Sequence, residues 1–287
     1  LTPVLVDVDP INFNIDIAAI EKAITPKTKA IIPVHLFGLA ANMDEVMALA
    51  EKHNLYVIED NAQGIGATYT SKSGQKKMTG GIGHVGSTSF FPSKNLGCYG
   101  DGGAIFTNDD DLAHVIRGIV NHGMYKRYHH DVVGVNSRLD SIQAAVLRAK
   151  LPKLDQYNTT RRNTARKYTM AFAGIQNIIT PTGFCDSSSS ICDTCDCHVF
   201  HQYTLQVKNI DRDALVAHLN ANDIPCGVYY PIPLHLQKAY ADTRYKEADF
   251  TVTNTLVKEV VSLPMHTELD DEQIAFITKT LIDFVTK

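Results

Sequence analysis

Val57-Ile58-Glu59-Asp60-Asn61-Ala62-Gln63 reads as the end of a short apolar strand that runs into two acids and then a turn. A second stretch has the same design. Ser87-Thr88-Ser89-Phe90-Phe91 is strand-like, and Pro92-Ser93-Lys94-Asn95-Leu96-Gly97 turns away from it, with Gly100-Asp101-Gly102-Gly103 close behind. Each stretch places one ionisable side chain, Asp60 or Lys94, just past the carboxyl end of a strand. In open α/β sheets that is where ligands collect. The surrounding pattern decides whether the two strands belong to such a sheet.

Upstream, Val4–Val8 is apolar enough for a strand. Ile17–Ile24 has helical spacing behind Asp16, a candidate N-cap. Lys29–Val34 reads as a buried strand, Met43–His53 as a helix and Leu55–Ile58 as a strand. Ala104–Thr107 adds a further strand and Leu112–Val120 a further helix. Strands alternating with helices of this length predict βαβ units: an α/β chain with a mostly parallel sheet flanked by helices. After Gly134 the pattern changes. Arg138–Leu151 and Lys153–Ala171 are helical, broken near Pro152. Residues 181–197 form a polar, Ser- and Cys-rich loop. Phe200–Val207 reads as a strand, Asp211–Asn222 as a helix capped by Asp211, and Gly227–Tyr230 as a strand. Asp270-Asp271-Glu272-Gln273 resembles a capping box opening a helix to about Thr286. The division expected is a large domain over residues 1–150, then a linking helix and a smaller α+β domain over 151–287.

Composition is that of an ordinary globular protein, with 44% hydrophobic and 20% charged residues in 287. A formal net charge of −4 argues against general nucleic-acid binding, which wants a basic face. No apolar run reaches the length of a membrane span, and no signal segment opens the chain. The expectation is a cytoplasmic protein with no membrane partner. Six cysteines in a chain of this length do not read as a disulfide framework. Cys192 and Cys195 have C-x-x-C spacing, with Cys197, His198 and His201 following, which is the start of a zinc set. A second C-x-x-C is missing and both histidines run into a strand, so no metal is expected.

A lysine after a strand is usually a solvated surface residue, and an acid at a strand-to-helix turn is usually an N-cap. Together, Lys94 and Asp60 offer an amine for a Schiff base and an acid to keep a pyridine nitrogen protonated, the two groups pyridoxal phosphate chemistry needs. Glu59 and Asp60 cannot act as a carboxylate pair, because neighbours on a strand point to opposite faces. Gly80-Gly81-Ile82-Gly83 lacks the Lys-Ser/Thr of a phosphate loop and reads as a flexible connection.

Five ordered stretches carry a more specific resemblance: Pro33-Val34-His35-Leu36-Phe37-Gly38, Val57–Gln63, Ser89–Lys94, Gly134-Val135-Asn136-Ser137-Arg138-Leu139-Asp140 with Gln143-Ala144-Ala145, and Tyr229-Tyr230-Pro231-Ile232-Pro233-Leu234-His235. In this order they resemble the DegT/DnrJ/EryC1/StrS family of pyridoxal-phosphate-dependent nucleotide-sugar aminotransferases, on the aspartate-aminotransferase fold (fold type I). The resemblance implies transfer of an amino group, from glutamate as donor, to a nucleotide-linked keto-sugar, with a lean toward 3-keto sugars, in amino-sugar or surface-polysaccharide biosynthesis. It implies that Lys94 is the Schiff-base lysine and proton shuttle, that Asp60 pairs with the ring nitrogen, that Gln63 meets the ring hydroxyl and that Ser89 binds the phosphate. Asn136 would reach the phosphate in a neighbouring subunit, which makes a homodimer with shared sites; the alternative from the residues alone is a cap on the helix near Arg138. Tyr230 and His235, with His122, would line the nucleotide-sugar side. Family members carry several dozen residues ahead of the Val4–Val8 strand, including a Gly-Thr phosphate turn and an aromatic that stacks on the cofactor, so the stretch from Leu1 is expected to hold an incomplete site. Asn61 stands where the family has alanine. Two rivals follow: a sugar dehydratase of the same family, which carries histidine in place of the lysine, and a truncated, regulatory relative without turnover.

Overall fold

The computed structural model describes residues 1–182 and 196–287. Asp16 does cap the first helix, α1 (Ile17–Ala23), its side chain accepting from the Ala19 N–H. The helix α2 (Met43–His53) follows, and its Met43, Val46, Leu49 and Ala50 are buried at helical spacing. These pack with Ile20, Ile31, Leu55 and Val57 into one core. Val57 and Val46 are fully buried, each worth about 2 kcal/mol of apolar burial.

The strands β1 (Ala30–Ile31) and β2 (Tyr56–Asp60) pair in parallel. The hairpin β3 (Thr68–Thr70) and β4 (Lys76–Met78) projects before β5 (Val85–Ser89), which pairs in parallel with β2. The last strand of this sheet, β6 (Gly103–Phe106), runs antiparallel to β5, giving the order β1-β2-β5-β6. The sheet is thus mostly parallel with one reversed edge. Along β2, Val57 and Glu59 are buried against the helical side. Asp60 is half-buried on the opposite face, as period-two alternation requires.

The helix α3 (Asp110–Val120) leads into a small hairpin of β7 (Met124–Lys126) and β8 (His129–His130). The helix α4 (Ser141–Lys150) then joins α5 (Leu154–Ala171) through one turn of 3-10 helix at Leu151–Lys153, where Pro152 interrupts the ladder. The second core lies around the antiparallel order β11-β10-β9, from β9 (Ile178–Ile179), β10 (Tyr203–Val207) and β11 (Val260–Leu263). Helices α6 (Arg212–Ala221) and α8 (Asp271–Val285) complete it, Leu215, Leu219, Ile274, Ile277 and Leu281 packing with Tyr203 and Leu205, while α7 (Thr251–Glu259) turns Leu256 to a separate cluster with Phe13, Phe37 and Val260. Asp211 caps α6, and the capping box of Asp270 and Gln273 opens α8.

Three expectations fail. Val4–Val8 forms no strand: only Val8 bridges Ile15, and Asp7 turns its carboxylate to the N–H groups of Val252 and Thr253. Gly227–Tyr230 forms no strand beyond one bridge from Gly227 to Ser262, and then leaves the sheet. Gly80–Gly83 is no loose connection, for the reason given below. Cys185, Cys192 and Cys195 lie outside the described residues.

Candidate functional site

Asp60 ends β2, and its backbone is pinned on both sides: its N–H donates to Pro33 O (2.9 Å) and its carbonyl accepts from the His35 N–H (3.0 Å). One carboxylate oxygen, Oδ1, accepts from the Ala62 N–H at 3.0 Å. That turn contact is short of a helix cap, because no helix follows. Among the described residues nothing meets the other oxygen.

Behind Asp60, on the buried face, lies an anion nest. Glu59 accepts from the N–H groups of Gly80 (2.7 Å), Ile82 (2.7 Å) and Gly83 (2.6 Å) and from His35 Nε2 (2.8 Å). Both side chains are 0% exposed. His35 Nδ1 accepts from the Ala41 N–H at 3.1 Å, so the ring proton sits on Nε2 and the imidazole is neutral. Burial alone would raise the Glu59 pKa; the bonds from His35, Gly83 and Gly80 outweigh it and hold the carboxyl below its ordinary value. Asn61 ties the same turn, donating to Thr79 O (3.1 Å) and accepting from Thr79 Oγ1 (2.8 Å). Asn61 thus staples the turn to Thr79.

Lys94 sits in a tight turn after β5. Its N–H donates to Phe91 O and Cys98 N–H returns to Phe90 O. A Cβ on Gly97 would lie 2.4 Å from Pro92 O, so only glycine lets this turn close. Phe90, Leu96 and Cys98 pack on Leu147 and Leu154 of α4 and α5, which holds the turn from below. The amine is half-buried. Desolvation lowers its pKa, and the nearby charge of Asp60 works partly against that. It forms no ion pair among the described residues, so the nitrogen is available.

Asn95, the next residue, is buried and saturated. Its Nδ2 donates to Asn158 Oδ1 (2.8 Å) and Val199 O (3.0 Å), and its Oδ1 meets His201 Nδ1 at 3.3 Å. Arg161, one helical turn from Asn158, donates to the carbonyls of Phe200, His201 and Met265. The lysine turn is therefore anchored to α5 and to the chain entering β10. Sequence reasoning passed over Glu59, His35 and Asn95. The glycine triplet at 80–83 and the polar residues at helical spacing on α5 were the available signals.

Gln63 lies in the turn that follows Asp60. Its Oε1 accepts from the Phe37 N–H at 2.6 Å, and its Nε2 lies 3.5 Å from the Tyr230 hydroxyl. Ser89 Oγ accepts from the Phe91 N–H at 3.2 Å, which leaves its own proton to give. His235 is buried, stacked on Phe250 at 4.1 Å, and its Nε2 has no partner. His122 and Asn136 form a separate cluster beside α3. His122 N–H donates to Val135 O, Asn121 bridges Asn136, and Arg138 Nε donates to Asn136 Oδ1 at 3.1 Å. No hydrogen bond among the described residues links that cluster to Asp60 or Lys94. Asn136 caps nothing: Asp140 caps α4.

His198 and His201, the two histidines of the candidate zinc set, are buried. His198 stacks on Phe200 at 3.7 Å, and its Nδ1 accepts from the Phe200 N–H. Among the described residues no group of three His, Cys, Asp or Glu side chains is placed to hold a metal.

Proteins of similar sequence and fold are known. A UDP-N-acetyl-3-dehydro-alpha-D-glucosamine 3-aminotransferase of Acidithiobacillus ferrooxidans is 46% identical over 98% of this chain and 71% of its own length. A pleiotropic regulatory protein of Geobacillus stearothermophilus is 45% identical over 98% of this chain and 72% of its own. The crystal structure of DesV from S. venezuelae, in complex with a ketimine intermediate, superposes with a TM-score of 0.89 at 36% identity, over the whole of this chain and 73% of that one. The family model of the DegT/DnrJ/EryC1/StrS aminotransferases matches residues 1–282, and the chain belongs to that family.

Proposed function

We propose that this chain uses pyridoxal phosphate to move an amino group from glutamate to a nucleotide-linked keto-sugar, with a 3-keto sugar as the favoured acceptor. The observation that carries the reading is the uncommitted amine of Lys94 beside Asp60, both at the carboxyl ends of neighbouring parallel strands. The donor set fits the cofactor. It comprises a free amine, a carboxylate oxygen without a partner, an amide N–H at Gln63 and a hydroxyl proton at Ser89. Pyridoxal phosphate supplies an aldehyde that condenses with amines and a protonated ring that accepts the electron pair released at the substrate carbon. Asp60 holds the proton on the ring nitrogen. Lys94 Nζ tethers the cofactor and, when released, carries a proton to and from the substrate carbon. Desolvation keeps that nitrogen easier to deprotonate than an exposed lysine, which suits a base working near neutral pH.

Tyr230 and His235 are assigned to the sugar side, His235 with an unpaired nitrogen to offer. His122 and Asn136 serve the site of a second copy, in a homodimer with shared sites. A large cofactor-holding domain over residues 1–150 and a smaller one over 151–287, a cytoplasmic location and a place in amino-sugar synthesis complete the reading. The 3-keto preference draws support from the 3-dehydro substrate in the name of the Acidithiobacillus relative. The test is an assay of a panel of nucleotide-linked keto-sugars with glutamate, on protein reconstituted with cofactor. Turnover of a 3-keto member that Lys94→Ala abolishes is expected. Cofactor binding without turnover of any member would favour the regulatory reading instead.

A further inference from the structure

The helix α7 begins at Thr251 behind Phe250, a residue with no side-chain acceptor for the free N–H groups of a helix start. Asp7, far away in sequence, supplies the acceptor. Its Oδ2 accepts from the Val252 N–H (2.9 Å), and its Oδ1 accepts from the Thr253 N–H (3.0 Å) and hydroxyl (2.7 Å). Burial alone would raise the Asp7 pKa; the bonds from Thr253 and Val252 outweigh it and hold the carboxyl below its ordinary value. The cap is thus an anion at the positive end of the helix dipole. A cap brought from elsewhere frees Phe250 to be apolar. Its ring is buried and has two aromatic partners: His235 stacks on it at 4.1 Å, and Tyr245 meets it edge-on at 5.6 Å.

Both partners belong to a stretch with little else to hold it. Of residues 231–245 only Pro233 and His235 are buried. Backbone hydrogen bonds close within the stretch, as from Leu236 N–H to Pro233 O and from Tyr240 N–H to Gln237 O. Among the described residues, every hydrogen bond that leaves it ends on Pro3 or Leu5. Tyr245 Oη accepts from the Leu5 N–H (2.8 Å) and donates to Pro3 O (3.2 Å), and Arg244 Nη2 donates to the same carbonyl (3.1 Å). Residues 3–7 therefore touch the stretch at one end and the start of α7 at the other. We propose that residues 3–7 are a strap that clamps residues 231–245, with Tyr245 and Asp7 as positioning residues that hold His235 in place through the Phe250 ring. The consequence for substrate rests on the reading that His235 faces the nucleotide-sugar; the clamp itself does not.

Two measurements on holoenzyme test the clamp, and a third tests its consequence. Trypsin cuts after Lys238, Arg244 and Lys246, all exposed, and its rate on a folded protein tracks how often the segment opens. Tyr245→Phe removes only the hydroxyl and keeps the ring on Phe250. Asp7→Asn replaces one acceptor oxygen of the cap with an NH2. Each is expected to speed cutting at these sites by about five- to tenfold, with cutting elsewhere unchanged. Carbethoxylation of His235 by diethylpyrocarbonate, read by peptide mass, should rise in step. Cutting at the wild-type rate, or a rise shared by all tryptic sites, overturns the strap. Faster local cutting with His235 modified no faster overturns its role in positioning. If Asp7→Asn does not fold, Tyr245→Phe decides. In steady-state assays Tyr245→Phe should raise KM for the nucleotide-linked keto-sugar by about fivefold, with kcat within about twofold, and should shift KM no further in a His235→Ala background. Equal shifts in both backgrounds would show that Tyr245 does not act through His235. A wild-type protein that turns over no keto-sugar sinks the function reading, while cutting and modification still decide the strap.

Discussion

Asp60 and Lys94 are separable by what else each could be. An acid at a strand end is most often a cap, yet no helix begins after Asp60, and one of its oxygens is left to the site. Asp60→Asn is expected to leave the fold and melting temperature nearly unchanged. Transamination should slow by about three orders of magnitude or more, because a neutral amide cannot hold the ring nitrogen as a cation. Asp60→Glu should be milder. Rates near wild type in the asparagine variant, measured with glutamate alone as a half-reaction, would reduce Asp60 to a turn residue. At this scale the sequence was most legible for residues whose chemistry differs from their neighbours', such as a lysine in a turn without other charges. It was least legible for Gln63. Its type says only that it can donate and accept; the donor of Phe37, far off in sequence, decides which.

Elements were legible where pattern and packing agree. The stripe of Met43, Val46, Leu49 and Ala50 specifies α2 to the residue, and the capping box at Asp270 marks the start of α8. Val4–Val8 and Gly227–Tyr230 have strand composition but find no continuous partner, and composition cannot supply a ladder. The Gly80–Gly83 turn was misread because its order comes from a buried side chain in another element. Glu59 there has four donors for two oxygens and no charged partner, since His35 is neutral. Glu59→Gln leaves a single acceptor oxygen, and its NH2 must face either a backbone N–H or the His35 N–H. Neither can accept. The expected cost is about 3–5 kcal/mol, read as a drop in urea midpoint, with loss of amide protection over residues 80–83. The linkage has a sign. The folded-state pKa lies below the ordinary 4.5, so this contribution is present above that value and is lost as pH falls through the folded pKa. A Gln variant as stable as wild type at pH 7 would mean that the nest holds no anion.

For the whole molecule, two buried imidazoles set an acid limit, and one exposed asparagine tests the proposed assembly. His198 and His201 have pKa values of about 3, lowered from 6.5 chiefly by burial and, for His201, by the positive charges of Lys94 and Arg161. The unfolded chain binds their protons below pH 6.5 and the folded chain does not. Stability therefore falls as pH drops from 6.5 toward 3, by about 1.4 kcal/mol per unit for each histidine. Replacing His201 with Asn should halve that slope between pH 6.5 and 5. An unchanged slope would mean that His201 is already charged in the fold. The proposed shared-site dimer is tested at Asn136. Arg138 donates to its Oδ1, so its exposed N–H groups point away from that contact and are free to meet an acceptor such as a phosphate oxygen. Within its own chain it serves no helix, since Asp140 caps α4. On the proposed shared-site dimer it acts in the partner's site, an isologous arrangement with two equivalent centres. Mixing a Lys94→Ala chain with an Asn136→Ala chain separates the possibilities. In a hybrid dimer with shared sites, one centre receives both defects and the other receives neither. The mixture should then recover up to about a quarter of wild-type activity, since random exchange makes half of all dimers hybrid and each hybrid holds one intact centre of two. Both parents should remain near zero. If hybrid dimers form, as native mass spectrometry would report, and activity stays at the parental level, Asn136 acts within its own chain and the shared-site reading fails.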